Sequence, residues 1–297
     1  METRIVKDLQ ECKLLWNKYS PSDTIWNLWD TVTSFYDEKF YEPYFILFED
    51  GLIPLWYDKK FKKYYFFGGE FPENRTLWID INKFEEVIEQ LPENTTIFDL
   101  NGTFVESIIA KNENLRKYFP EEDIRYFLNL KNFDFKLEEY LKTFNKKHRK
   151  NFLYDIKKLQ NLNYELIWEE DEHFEEFVNF SVERFGVDSD LSDKQFKKEM
   201  NTFVTALKNR KMLHTLTIKI NEKVEGIELA ALFNGHYYVL NGGYNRKIKN
   251  LGKLLIFEHI KKALELKAKE IDFLVGDTGW KKLWNFETDK CYSFRKK

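Results

Sequence analysis

The segment from residue 237 to residue 286 constrains the fold of this chain more than any other stretch. It opens with the β-rich run Tyr237–Leu240, which a pair of glycines closes. A helix follows, because four apolar residues fall on one stripe at helical spacing: Leu254, Phe257, Ile260 and Leu264. A second strand, 271–275, comes directly after it. A helix that follows a strand and a glycine turn has unpaired backbone N–H groups at its N-terminus. Together with the helix dipole, these favour an anion near Gly252.

Charge and proline divide the chain into two parts. Residues 1–130 contain 15 lysine and arginine residues against 24 acidic residues, whereas residues 131–297 contain 32 against 26. All six prolines also lie in the first part. We therefore predict two domains, 1–130 and 131–297, and expect a polyanionic ligand to bind to the second. The overall net charge of −3 argues against a general nucleic-acid-binding protein.

Composition also limits the class of protein. At 297 residues, 43% of them hydrophobic, the chain is long enough for two apolar cores. No apolar run reaches the roughly 18 residues that a membrane-spanning helix needs, and the N-terminus has no signal-peptide pattern. We therefore expect a cytoplasmic protein without a membrane span. The two cysteines and five histidines show no metal-ligand spacing, so we predict no metal site.

Periodicity and turn residues predict the order of the elements. In the first domain, helical spacing covers 4–40 and 84–91, and strands are predicted at 43–49, 52–57, 64–67, 96–100 and 124–130. In the second domain, the predicted helices before residue 237 are 146–160, 172–185 and 193–207, and the predicted strands are 164–168, 212–220 and 225–233. The dipeptides Asp50-Gly51 and Asn234-Gly235 predict β-hairpins.

The loop Lys247–Gly252 resembles the pyrophosphate loop of the acyl-CoA-dependent N-acetyltransferases of the GNAT superfamily. That loop is written Arg/Gln-x-x-Gly-x-Gly/Ala, and the match here has two departures. Lys247 replaces Arg or Gln, and Asn250 replaces the first glycine. Asparagine is the non-glycine residue that best tolerates a left-handed backbone, so Asn250 is compatible with the same turn.

Residues farther along the chain narrow the resemblance to one branch of that superfamily. The residues that carry it are Asp272-Phe273-Leu274, Gly276, Trp280-Lys281 and Trp284. They are similar to the Asp-Phe-Leu-x-Gly…Tyr-Lys…Trp signature of the CelD/BcsL-like acetyltransferases, which are related to the FemAB peptidyltransferases. The branch usually has Tyr at the position of Trp280. Upstream, a closing strand, a short helix at Tyr140-Leu141 and a basic helix that starts near Lys146 follow the order found in the branch.

The resemblance implies an α/β (α+β) fold with two tandem GNAT-type domains, each a mixed sheet flanked by helices. It further implies an N-acyltransferase with acyl-CoA, such as acetyl-CoA, as co-substrate, in which an acceptor amine attacks the thioester directly. The acceptor would be a small molecule or a cell-envelope precursor. Residues 1–130 lack a donor-type glycine loop followed by a helix, so we expect them to shape the acceptor cleft.

Three sets of candidate residues follow from the resemblance and from residue chemistry. The residues expected to bind the donor are Lys247, Asn250, Leu251, Gly252 and Lys253. The expected catalytic residues are Lys281, Asp272, Tyr244, Tyr238 and Glu228. The residues expected to contact the acceptor are Arg149, Trp280 and Trp284.

The catalytic candidates have distinct expected roles. Lys281 would neutralise negative charge on the acyl carbonyl or hold a donor phosphate. Tyr238 or Tyr244 would protonate the leaving thiolate, although core packing is the commoner role for a single tyrosine. Asp272 and Glu228 are alternative general bases, and Asp272 fits a structural hydrogen bond equally well.

The basic run that begins at Lys146 leaves two functions open. It is either the solvated face of an amphipathic helix or, in a FemAB-like transferase that uses aminoacyl-tRNA, a contact for an acceptor phosphate or the tRNA backbone. Nucleic acid is an expected partner only under this alternative. A third hypothesis, suggested by the departures at Asn250 and Trp280, is a catalytically silent GNAT-like binding module.

Overall fold

The computed structural model describes residues 2–169, 173–276 and 279–297. These residues form two compact units. The first contains 2–126, 275–276 and 288–297, and the second contains 127–169, 173–274 and 279–287. We predicted 131–297 as one domain, whereas the last residues of the chain pack in the first unit.

Helices and strands are interspersed along the chain, and in two places three strands follow one another without a helix between them. The strands of the described residues are β1 (Thr3–Val6), β2 (Tyr41–Phe48), β3 (Gly51–Asp58), β4 (Lys63–Phe66), β5 (Thr95–Asn101), β6 (Glu121–Asn129), β7 (Tyr164–Trp168), β8 (Leu213–Ile220), β9 (Lys223–Phe233), β10 (His236–Tyr244), β11 (Glu270–Val275) and β12 (Glu287–Lys296). The α-helices of the same residues are α1 (Leu9–Tyr19), α2 (Trp29–Val32), α3 (Phe84–Gln90), α4 (Gly102–Ile109), α5 (Leu137–Lys142), α6 (Lys146–Gln160), α7 (Phe174–Phe185), α8 (Lys194–Asn209) and α9 (Leu251–Glu265). Across the described ranges, no helix combines the length and the apolar character that crossing a bilayer requires.

The first unit is a mixed sheet around an aromatic core. Its strands lie in the order β1-β2-β3-β4-β5-β12, with β4 and β5 parallel and the other pairs antiparallel. The predicted hairpin between β2 and β3 is confirmed, since Phe48 pairs with Gly51 across a two-residue turn. Trp16 of α1 packs edge-on against Trp78 with 4.6 Å between ring centroids. Burial of such large aromatic side chains contributes to the apolar driving force for this unit, together with buried aliphatic residues.

The two parallel strands of the first unit separate, and a segment of the same chain fills the gap. Their pairing covers Tyr64–Tyr65 against Thr95–Thr96. Farther along, the backbone of Arg75 takes the place of β4, since its N–H donates to Asp99 and its carbonyl accepts from Asn101. The buried Arg75 guanidinium donates from Nε to the carbonyl of Pro72 and from Nη2 to that of Gly69, at 2.6 and 2.7 Å. The crevice between β4 and β5 is therefore occupied by protein.

The second unit is a sheet with strand order β11-β10-β9-β8-β7, in which only β10 and β11 are parallel among these neighbours. The hairpin predicted at Asn234-Gly235 is confirmed, and both turn residues have positive φ, 51° and 84°. This is the pattern of a type I′ turn, which matches the twist of the strands. The helix α9 is the crossover from β10 to β11, as the sequence pattern predicted.

Helices cover both faces of this sheet. A Cβ at Gly243 would lie 2.6 Å from the Cβ of Phe180, so α7 packs closely on one face of β10. A Cβ at Gly226 would lie 3.4 Å from Leu255 of α9, which packs on the other face. Glycine on these strands therefore permits close approach of both helices.

Three elements were not predicted from the sequence. Strand β1 falls within the stretch where we expected helix, and α4 and β12 had no prediction. Most residues of β12 are polar, and its burial is confined to Cys291–Phe294. Its pairing partner β5 lies almost two hundred residues earlier, so no local pattern indicates the strand. The predicted start of one helix at residue 172 lies outside the described residues, and that helix is described from Phe174.

Candidate active site

The candidate site lies at the carboxyl ends of β10 and β11. Their parallel register covers only His236–Tyr238 against Glu270–Asp272. Beyond it β10 continues to Tyr244 without β11 as a neighbour, and a register shift between Val239 and Asn241 bends it relative to β9. Parallel strands that separate leave backbone groups facing the gap, and such crevices at the carboxyl ends of strands are common ligand sites.

The N-terminus of α9 points its backbone donors toward this end of the sheet. Asn250 precedes the helix with φ 67° and ψ 7°, the left-handed conformation that asparagine tolerates better than other non-glycine residues. Within the described chain, no hydrogen-bond partner is found for the backbone N–H groups of Gly252 and Lys253. The helix dipole and two free donors make this position suited to an anion.

Tyr244 lies directly against the start of α9. A Cβ at Gly252 would lie 2.5 Å from Cζ and 2.7 Å from the hydroxyl oxygen of Tyr244. The tyrosine is half-buried at the end of β10. The ring of Tyr244 therefore leaves no room for a side chain at position 252. This restriction holds whether or not a ligand also approaches the backbone there.

The other residues expected to bind the donor differ in exposure and in partners. Lys247 is exposed in the loop, and its backbone N–H donates to Oδ1 of Asn245 at 3.0 Å. Leu251 is fully buried. Lys253 forms an ion pair with Asp155 of α6, so its charge is already compensated. A phosphate would have to compete with Asp155 for this lysine.

The end of β11 holds two of the expected catalytic residues in one hydrogen-bonded arrangement. The buried Asp272 accepts a hydrogen bond from the backbone N–H of Leu274 at 2.8 Å. Leu274 has φ 64°, an uncommon conformation for this residue type. The buried Lys281 donates from Nζ to the carbonyl of Leu274 at 3.0 Å. Asp272 thus has the structural hydrogen bond that was one of its two expected roles, and Lys281 lies against the bend in the strand.

Glu228 lies under α9, in a polar cluster that the sequence did not indicate. Its Oε2 is 3.8 Å from Nε2 of the fully buried His259, too far for a hydrogen bond. Nδ1 of His259 lies 2.8 Å from the hydroxyl of Tyr237. Burial raises the pKa of Glu228 to about 8 and lowers the pKa of His259 to about 3. At neutral pH both groups are therefore uncharged.

Two of the four aromatic candidates are core residues. Tyr238 is 3% exposed and Trp284 is 4% exposed. Trp284 packs edge-on against Phe152 of α6, with 5.0 Å between ring centroids. Trp280 is half-buried, as is Arg149 on α6. The ring of Trp284 is therefore packed inside the second unit, whereas Trp280 and Arg149 remain partly exposed.

Two basic residues beside the loop, Arg184 and Arg246, were not among the site residues predicted from the sequence. A pocket of about 320 Å³ opens after β10 and is lined by residues 244–247 together with Phe180, Glu183 and Arg184 of α7. Arg246 is adjacent to the loop motif and would have been found by extending the motif one residue upstream. Arg184 comes near the loop only because α7 packs on Gly243, which no local sequence pattern shows.

Comparisons with known proteins identify a family for part of the chain and similar folds for the whole of it. Residues 146–282 match the family described as "Acetyltransferase (GNAT) domain". No curated protein matches the sequence significantly. Among solved structures, FemX is similar with 12% identity and a TM-score of 0.61, covering 99% of this chain and 97% of that one. A conserved protein of unknown function from Bacteroides thetaiotaomicron VPI-5482 has 12% identity and a TM-score of 0.63, covering 100% of both chains.

A third similar structure is a tandem GNAT protein from the clavulanic acid biosynthesis pathway. It has 11% identity and a TM-score of 0.51, covering 99% of this chain and 97% of that one. The family match, the α9 crossover and the parting strands define residues 146–282 as a GNAT acetyltransferase domain. Over the whole chain, the fold is similar to those of FemX and of the tandem GNAT protein.

Proposed function

We propose that this protein is an N-acyltransferase that moves an acetyl or other acyl group from acyl-CoA to an amine acceptor. The observation that carries the proposal is the combination of two features in the second unit. The strands β10 and β11 separate after Tyr238 and Asp272, and α9 begins beside the gap with free N–H groups. The gap would take the extended arm of the donor, and the helix N-terminus would bind its pyrophosphate.

Direct attack fits the residues near the gap. The amine of the acceptor, once it has lost a proton to the base, attacks the thioester carbonyl, and the negative charge that develops on the carbonyl oxygen is stabilised by a backbone N–H of β10. The C–S bond then breaks and CoA leaves as a thiolate, which takes a proton from a tyrosine hydroxyl; Tyr244 is the more exposed of the two candidates. Lys281 lies at the bend of β11 and would add positive charge to the same region. Its buried ammonium would act more strongly there than in water.

The base that deprotonates the amine is one of two carboxylates. Asp272 lies at the last paired position of β11, and Glu228 has a pKa of about 8 because it is buried. With a pKa of about 8, Glu228 keeps its proton at neutral pH and cannot accept one there, which favours Asp272 as the base.

Titration with acetyl-CoA tests the proposal. We expect sub-millimolar binding by isothermal calorimetry, followed by release of free CoA when a suitable amine is added. Binding without transfer to any amine would favour a silent binding module. Absence of CoA binding would remove acyl-CoA as the donor.

A FemAB-like peptidyltransferase that uses aminoacyl-tRNA is the second candidate. The observation in its favour is the outer face of α6, where five lysines are exposed: Lys146, Lys147, Lys150, Lys157 and Lys158. Such a face would suit a nucleic-acid backbone. Against this candidate, the described stretch from Phe185 to Met212 contains short 3₁₀ turns and the single helix α8, and no long helical hairpin.

A further inference from the structure

The strand β7 lies at the edge of the sheet in the second unit, with β8 as its neighbour on one side and no described strand on the other. The N–H of Glu169 donates to the carbonyl of Thr215, so that pair and every second pair before it are the hydrogen-bonded ones. The backbone groups of Tyr164, Leu166 and Trp168 therefore point away from β8. In the part of the chain that the structure describes, these groups have no hydrogen-bond partner.

This edge lacks the features that commonly prevent pairing with another strand. Natural edge strands often carry lysine or proline, or contain a bulge. In contrast, β7 contains no lysine, arginine or proline, and its register against β8 is regular over its whole length. Its one charged residue is Glu165, and the other residues are tyrosine, leucine, isoleucine and tryptophan. The strand is therefore suited to pairing with a further strand.

The strand β7 is complementary to a second copy of itself. In an antiparallel pair centred on Leu166, the outward N–H and carbonyl of this residue would bond to those of Leu166 in the second copy. Tyr164 would lie opposite Trp168, and aromatic pairs directly across a ladder stabilise it. Glu165 would lie opposite Ile167, so no like charges would meet. A pair centred on Glu165 would instead place two glutamates opposite each other, which is unfavourable.

Charges on α9 fit the same two-fold arrangement. The ring of Trp168 packs edge-on against His259 of α9, and Nζ of Lys262 lies 5.2 Å from the ring centroid of Trp168. At the other end of the strand, burial raises the pKa of Tyr164, and the nearby carboxylate of Glu258 raises it further. Since the two rings would lie opposite each other, Glu258 of each copy would approach Lys262 of the other. Both already have an ion-pair partner on their own helix, so the contact would extend a network of alternating charge.

We infer that β7 pairs with β7 of a second copy of this chain, antiparallel and centred on Leu166, to form a symmetric dimer. The sheet of the second unit would then continue from one copy into the other. The inference does not depend on the donor, because β7 contains none of the residues expected to bind it. A ladder of 5 residues is a modest interface, so we expect a reversible dimer with a Kd on the order of 1–100 μM.

Sedimentation of the full chain over a range of concentrations measures the association, and two changes at one position test the pairing. Ile167→Glu would place like charges opposite each other at two symmetric positions, and should weaken the dimer by about tenfold. Ile167→Lys would place a positive charge opposite Glu165 and should leave the affinity equal or higher. The control is Ile5→Glu on β1, the edge strand of the first unit, where Ile5 is 40% exposed. This variant should associate like the parent.

A cysteine at the axis tests the register. Residues that form a hydrogen-bonded pair have Cα atoms about 5.5 Å apart, within the range of a disulfide. Leu166→Cys should therefore give a disulfide-linked dimer when it is oxidised with glutathione disulfide. The parent should not, because Cys12 and Cys291 are buried.

The remaining outcomes would overturn the inference. A parent that stays monomeric up to about 300 μM has no such dimer. Association that Ile167→Glu leaves unchanged uses another surface, and equal weakening by both charges reflects lost packing. Association without a disulfide in Leu166→Cys contradicts the register. If Leu166→Cys does not fold, the two variants at Ile167 still decide.

Discussion

Gly252 illustrates how one side chain, here that of Tyr244, restricts which residue can occupy a neighbouring position. Even a methyl group there would lie 2.5 Å from the ring of Tyr244, far inside van der Waals contact. The glycine of the loop motif is thus needed for packing at the end of β10, whether or not a donor binds. A substitution at Gly252 alone cannot separate these two roles, because the tyrosine would have to move in either case.

We expect Gly252→Ala to lower the free energy of unfolding by about 1–3 kcal/mol, because overpacking forces Tyr244 out of place. Adding Tyr244→Ala should remove the clash. The loss in the double variant should therefore be smaller than the sum of the two single losses. Urea denaturation of the four proteins measures this coupling. Additive losses would show that the ring of Tyr244 does not restrict position 252.

Glu228 should make the stability of the protein fall with rising pH. Its folded pKa of about 8 lies above the ordinary value of 4.5, so between these values the unfolded chain has released a proton that the folded protein retains. His259 acts in the opposite direction, but only between pH 3 and 6.5. Above pH 6.5 the effect of Glu228 remains. The titratable neighbours of the pair are Tyr237 on β10 and His214 on β8.

We therefore expect the stability of the parent to fall between pH 6.5 and 8, relative to the variant Glu228→Gln, by at most about 1.4 kcal/mol per pH unit. Glutamine keeps a polar group next to His259 but cannot ionise. Urea midpoints at several pH values provide the measurement. Parallel curves for the two proteins would mean that Glu228 is already ionised in the fold.

Lys281 offers a test of transition-state stabilisation. Lys281→Met keeps the volume of the buried side chain and removes its charge, and we expect turnover to fall by about 10²–10³ with a small change in KM for the donor. Steady-state kinetics with acetyl-CoA measure both parameters. The exposed neighbour Lys282 provides the matched control, as Lys282→Met. A change in KM alone would assign Lys281 to a donor phosphate.

At the scale of elements, changes on the outer face of α6 distinguish acyl-CoA from aminoacyl-tRNA as the donor. Its outer face carries exposed lysines, while its inner face packs on α9 through Phe152 and Phe257 and pairs Asp155 with Lys253. Changing Lys146, Lys147, Arg149 and Lys150 to Gln together should leave CoA binding nearly unchanged, since these side chains lie at the start of α6 and the inner face is retained. Calorimetry with CoA measures this.

The same variant tests for nucleic acid. We expect no measurable affinity of the parent for tRNA near physiological salt. A tRNA complex of the parent that the variant cannot form would contradict the acyl-CoA proposal. In that case, the loss of four phosphate contacts should reduce the dependence of log affinity on log salt by roughly 0.7–0.9 per contact.

Elements with a strong local pattern were predictable from the sequence, and those set by distant pairing were not. The apolar stripe of α9 and the Asn-Gly turn at residue 234 are local signals, and both are confirmed. Strand β12 has mostly polar residues and becomes a strand because β5 is available to pair with it. The same reason explains the missed site residues. Arg184 lies near the loop because α7 packs on the sheet, and His259 lies near Glu228 because α9 packs on it. No short sequence pattern shows either packing.

At the scale of the whole molecule, the two units differ at the same structural position. Each contains a pair of parallel strands that separate, β4 with β5 and β10 with β11. In the first unit the backbone of Arg75 fills the gap, and its buried side chain binds the surrounding carbonyls. In the second unit α9 starts beside the gap with free backbone donors. This contrast is the reason that we propose a single donor site for each chain.

Hydrogen exchange with and without acetyl-CoA is the most direct test of this account. We predict that the donor protects backbone amides at the end of β10, in the loop and in the first turn of α9, that is, in residues 239–253. We also predict no added protection in residues 67–76 of the first unit, which enclose the Arg75 side chain. Protection confined to the first unit, or none in residues 239–253 at saturating acetyl-CoA, would contradict the assignment of the donor site.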